Sequence, residues 1–176
     1  MVSASRATLA ARVLITAALC ALGAREAWAK PRLNPIAWDR PFRFAVVGDN
    51  RGDSSGTQPP VFRAIIREMN AAAPALVLNT GDLINGYAGD EEPLLRRQWT
   101  GYLKAIARLQ VPAFHVPGNH DLFDAVSARL WREFMGPTFY AFDHGCARFI
   151  ALDTETREGR LDEPQRAWLA RQLAEA

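Results

Sequence analysis

The chain has 176 residues, of which 49% are hydrophobic and 23% charged. That length and balance suit one globular domain and exclude a disordered or fibrous chain. The formal net charge is +2, and the excess sits near the N-terminus, so the basic face needed for non-specific nucleic-acid binding is not expected.

Residues 1–29 read as a secretory leader. Arg6 and Arg12 form the basic start, residues 13–22 are an apolar core too short to span a bilayer, and Ala27-Trp28-Ala29 is a small-x-small cleavage site. Cleavage takes three of the 21 basic residues and one of the 19 acidic ones, leaving 18 of each. The expectation is an exported protein, periplasmic or extracellular, with no stable membrane span once the leader is removed. Cys146 is then the one cysteine left. An internal disulfide is excluded, and the core must supply the stability.

Residues 30–41 contain Pro31, Pro35 and Pro41 and read as a linker, with a domain over 42–176. A first strand is predicted over 43–47, followed by a Gly-, Ser- and Pro-rich loop. Val61, Phe62, Ile65, Ile66 and Met69 recur at helical spacing and predict a helix over 61–73, with Pro60 in its first turn. A second strand is predicted over 75–78, then a loop with Gly81, Gly86 and Gly89. A helix over 93–109 turns Leu95, Trp99, Tyr102, Ile106 and Leu109 inward, and a third strand covers 111–116. Asp124 is placed to cap a short helix ending at Phe134. Residues 138–143 and 147–152 read as a hairpin turning at His144-Gly145, which leaves His144 exposed. His115 lies inside an apolar strand and reads as structural. A polar loop over 153–162, in which Asp153 reads as structural, leads to a final helix with Trp168, Leu169 and Leu173 on one side. The alternation βαβαβ predicts an α/β sheet with crossover helices.

Each of the first three strands ends in the same way. Asp49 follows Val46-Val47-Gly48, Asp82 follows Thr80-Gly81, and Gly118-Asn119-His120-Asp121 follows the third run. Ligands of open α/β sheets bind beyond the carboxyl ends of the strands. The three tips are therefore expected to bring Asp49, Asp82 and Asn119 to one point, with His120 beside them. Oxygen and nitrogen groups of this kind suit divalent ions such as Mn, Fe or Zn. Asp82, on the middle strand, is the candidate to bridge two ions, and such a pair can drive an in-line displacement at phosphorus. His120 would protonate the leaving oxygen. Asp121 is expected to orient His120 through the second ring nitrogen.

Asp49-Asn50-Arg51, Gly81-Asp82 and Gly118-Asn119-His120-Asp121 resemble the first three motifs of the calcineurin-like metallophosphoesterases. The stretch from Leu152-Asp153-Thr154 through Gly159-Arg160-Leu161 to Gln165, Trp168 and Leu169 is similar to a later part of that family's domain. The resemblance implies a four-layer α/β/β/α sandwich, incomplete at the C-terminus, and a phosphate-ester substrate. It also implies that Asp49 binds the first metal, Asp82 bridges both, Asn119 binds the second and His120 acts on substrate.

Two departures stand out. The family's first motif usually ends in a metal-binding His, and here that residue is Arg51, which cannot ligate a metal but can grip a phosphate. None of His115, His120 and His144 matches the family's later His ligands. Two readings therefore stay open, an exported metal-dependent phosphoesterase or an inactive remnant that binds metal or phosphate weakly. The substrate and the oligomeric state also stay open.

Overall fold

Three short apolar runs become the strands of a parallel sheet, β1 (Phe44–Val47), β2 (Leu76–Asn79) and β3 (Ala113–His115), in the order β1-β2-β3. Phe44 pairs with Leu76 and Val77 with Ala113. Runs of three or four residues of this kind make strands because β-branched and aromatic side chains suit a pleated surface. The computed structural model describes residues 31–87, 91–155 and 159–175. The leader over 1–29 and Gly89 lie outside the described residues.

The strands alternate sides, and the two faces meet different partners. Val77 faces the helices, joining a core with Phe62, Ile66, Met69, Leu95, Trp99, Tyr102, Leu130 and Trp131. These residues come from α1 (Pro60–Ala72), α2 (Glu92–Ile106) and α3 (Ala125–Phe134). On the opposite face Leu76 and Phe114 pack against Phe142, with Leu33, Leu78, Tyr140 and Phe149 around them. Phe142 lies on β4 (Tyr140–His144), which pairs antiparallel with β5 (Ala147–Ala151). The rings of Phe114 and Phe142 stack with centroids 3.7 Å apart, and the Tyr140 hydroxyl donates to the His115 carbonyl at 2.7 Å. The last helix, α4 (Glu163–Ala174), lies on the hairpin through Trp168 against Phe139 and through Arg148 donating to the Gln172 carbonyl. Helices, parallel sheet, hairpin and helix thus follow one another, the α/β/β/α order expected.

Several local expectations are corrected. Helix α2 runs Glu92–Ile106, not to residue 109, and Leu109 reaches the core from the turn that follows. Val61 is exposed because it lies off the Phe62-Ile66-Met69 stripe of α1. The hairpin turns at Gly145-Cys146, and His144 ends β4 as a buried residue under the edge of the Phe42 ring, 4.6 Å away. Leu173 is exposed on α4, whose buried residue is the polar Gln165. Gln165 clamps the backbone of Asp153, accepting from its N–H and donating to its carbonyl. Residues 31–41 lack regular structure, yet Leu33 packs into the sheet–hairpin cluster.

Asp124 caps α3 as expected. Its carboxylate accepts from the Ser127 N–H at 2.7 Å, and the Ser127 hydroxyl accepts from the Asp124 N–H at 2.9 Å, a reciprocal capping box.

Candidate active site

Every strand of the parallel sheet hands over to a turn that carries part of the site. Asp49 (φ 52°) and Asp82 (φ 56°) both adopt the left-handed region, which Asp tolerates better than most residues and which persists only when its surroundings hold it. The Asp49 N–H donates to the Gly81 carbonyl at 3.0 Å. Glycines let the second and third turns touch. A Cβ on Gly81 would lie 2.4 Å from the Gly118 nitrogen, and one on Gly118 would lie 2.3 Å from Asp82 Oδ1.

Asp121 is the staple beneath this contact. It is fully buried, and its carboxylate accepts from the N–H groups of Asp82 (2.8 Å), Leu83 (3.0 Å), Ile84 (3.2 Å) and Gly118 (2.9 Å). Burial pushes its pKa up to about 7, the nearby Asp82 adds to that, and the backbone N–H groups oppose it. The expected partnership with His120 is therefore corrected. The His120 Nδ1 lies 2.6 Å from the Asn85 carbonyl oxygen. Asp121 faces the backbone because four donors of the adjoining turns converge on it.

The Asn85 carbonyl can only accept, so Nδ1 carries a proton whether the ring is neutral or charged, and Nε2 is the ring atom left to gain or give one. Nε2 sits 3.9 Å from Asp82 Oδ2. The Tyr87 ring meets the His120 ring edge-on with centroids 4.8 Å apart. The Tyr87 hydroxyl accepts from the Asn119 side-chain amide at 3.0 Å and donates to the Asn119 carbonyl at 3.1 Å. That leaves Asn119 Oδ1 as the amide's ligand atom.

Arg51 joins the first two turns. Its Nη1 donates to Asp82 Oδ2 at 2.8 Å and lies 3.4 Å from Asp49 Oδ1. The side chains differ sharply in exposure, 82% for Asp49 against 11% for Asp82. The second oxygen of Asp82 accepts from the His120 N–H at 3.2 Å. The structure therefore links Asp49, Asp82, Arg51 and His120 directly, sets Asn119 beside them through Tyr87, and puts Asp121 underneath.

A family model described as calcineurin-like phosphoesterase matches residues 42–169, well over half of the chain. The chain belongs to that family. The serine/threonine-protein phosphatase CPPED1 of Rattus norvegicus is 27% identical to it over 139 residues, which cover 72% of this chain and 44% of the rat protein. This phosphoesterase-family chain thus spans less than half the length of that relative.

The family generally uses divalent metal ions. Among the described residues no group of three or more His, Cys, Asp or Glu side chains is disposed to hold one. The oxygen donors on hand are Asp49, Asp82 and the Asn119 amide, a hard set that suits one such ion. The pair expected from the motif needs more donors than these three supply, and the Arg51 guanidinium lies between the Asp49 and Asp82 carboxylates.

Three contributors escaped the sequence reading. Asn85 acts through its backbone, so its side chain carried no signal. Tyr87 has a positive φ of 47° next to Gly86, and an aromatic residue in a strained glycine turn was the available clue. Gln98 is buried on α2 and ties two site loops together, accepting from the Gly86 N–H at 2.9 Å and donating to the Ser54 carbonyl at 3.1 Å. It occupies a helical position between apolar ones, where a polar residue signals an inward partner.

Proposed function

We propose that this chain carries an exported phosphate-ester hydrolase site in which His120 is the general acid. Family membership supports the reaction class, and the leader-like pattern of residues 1–29 supports export. The observation that carries the role of His120 is the short contact of its Nδ1 with the Asn85 carbonyl, which aims Nε2 at the space beside Asp82.

In this reading the phosphoryl group sits between the free Nε–Nη2 edge of Arg51 and His120 Nε2. Arg51 pairs with two phosphoryl oxygens, as guanidinium groups do. A water oxygen bonds to phosphorus from one side and sheds its surplus proton to solvent, while the ester oxygen leaves on the other side and takes the proton that Nε2 carries in the imidazolium form of His120, Nδ1 keeping its own. A divalent ion held by Asp82 and Asn119 would polarise a phosphoryl oxygen. Two ions would need donors beyond these residues.

The test is hydrolysis of 4-nitrophenyl phosphate by the 176-residue chain with Mn²⁺, Fe²⁺ or Zn²⁺. His120→Ala is expected to lower kcat by about 10²–10⁴. A phosphoserine peptide is the second substrate to try, since the rat relative bears a protein-phosphatase name. Absence of turnover with every metal would leave the second reading, a non-catalytic module that binds metal or phosphate weakly. The Arg51 guanidinium lying between Asp49 and Asp82 favours that alternative.

A further inference from the structure

The guanidinium of Arg51 lies where a cation shared by Asp49 and Asp82 would lie. Nη1 reaches Asp82 at 2.8 Å and Asp49 at 3.4 Å, while Nε and Nη2 make no hydrogen bond among the described residues. One positive charge thus sits between two carboxylates that come from different strand ends.

The loop that holds Arg51 is built to keep it there. Asp53 accepts through one carboxylate oxygen from the Ser55 N–H, the Ser55 hydroxyl and the Thr57 N–H, at 2.9, 2.6 and 3.0 Å. The Asp53 N–H in turn donates to the Thr57 carbonyl at 3.1 Å. The same loop is pinned to α2 by Gln98 and by Gly101, where a Cβ would lie 2.0 Å from the Gly56 carbonyl. A side chain on a loop closed this tightly is pre-organised, and holding it in place costs little further ordering.

We propose that Arg51 is a fixed internal cation that takes the place of one metal ion between Asp49 and Asp82, so that this chain binds at most one divalent ion. The proposal rests on the reading of these turns as a cation and phosphate site. A guanidinium cannot ligate a metal, and its charge repels any ion that approaches the same carboxylate oxygens. Removing it therefore strengthens metal binding, whereas loss of a ligand would weaken it.

Calorimetric titration of Mn²⁺ into the full chain and into Arg51→Gln tests this. The variant is expected to bind Mn²⁺ about tenfold more tightly than the wild type, or more. Equal or weaker binding by the variant overturns the proposal. Should the variant not fold, judged by circular dichroism, the wild-type stoichiometry decides alone. At most one Mn²⁺ per chain agrees with the proposal, and two overturn it. Turnover plays no part in this readout. If 4-nitrophenyl phosphate is not hydrolysed, the hydrolase reading fails while tighter Mn²⁺ binding by Arg51→Gln still stands.

Discussion

Removing the Asp121 carboxylate would leave the N–H groups of Gly118, Asp82, Leu83 and Ile84 without acceptors in a buried place. Each orphaned buried donor is destabilising, so Asp121→Ala is expected to cost about 3 kcal/mol or more in urea denaturation. His115 supplies a pH-dependent counterpart. Its Nε2 is buried without a hydrogen-bond partner among the described residues, and burial pushes its pKa down to about 4. Between about 6.5 and about 4 the unfolded chain takes up a proton that the folded chain refuses, so stability falls as pH drops through that window. Asp121 acts with the opposite sign, because its raised pKa makes the folded chain hold a proton more tightly, so stability falls as pH rises toward about 7. The Asp121 contribution is common to the wild type and His115→Phe and cancels in their difference. His115→Phe should gain on the wild type as pH falls from about 6.5 to about 4, read from melting temperatures at matched pH. That Asp49, Asp82 and His120 share a site was legible, because each follows a strand and a turn glycine or lies just beyond one. That Asp121 holds backbone and not His120 was not legible, because it depends on how two turns nest.

Helix α3 begins with a capping box that the Asp124-x-x-Ser127 spacing supplies. Asp124→Ala is expected to cost about 1 kcal/mol, several-fold less than Asp121→Ala, because a cap at a helix end keeps access to water. The contact between the β2 and β3 turns is less forgiving. Gly81 has φ 106°, and a methyl group there would run into the Gly118 backbone at 2.4 Å. Gly81→Ala should therefore lower the melting temperature and also Mn²⁺ affinity, since it parts Asp82 from the Gly118 turn. Helix and strand identity came through in the spacing of Phe62, Ile66 and Met69 and in the short β-branched runs. Helix ends came through less well, because the turn after Ile106 keeps an apolar residue, Leu109, that extends the periodic pattern beyond the helix.

The described residues form two apolar layers, one between the parallel sheet and α1–α3 and one between that sheet and the hairpin. The second is smaller and centres on the Phe114–Phe142–Phe149 stack, with ring centroids 3.7 and 4.9 Å apart. Phe142→Ala should cost about 3–5 kcal/mol. Hydrogen exchange should speed up first in β4 and β5, with the amides of β2 protected longest. Exchange that speeds up equally in β2 would mean that the two layers unfold as one unit.

Order along the chain was enough to predict strands alternating with helices and a ligand-bearing turn after each strand, because periodicity and turn chemistry are local properties, and the family was suggested by the resemblance of three short motifs. Long-range packing settled the rest. The partners of Asp121, the carbonyl that fixes His120, the burial of His144 and the span of Arg51 across two carboxylates all join groups far apart in the chain. Such contacts follow from where the sheet sets its turns, and spacing within one segment carries no record of them.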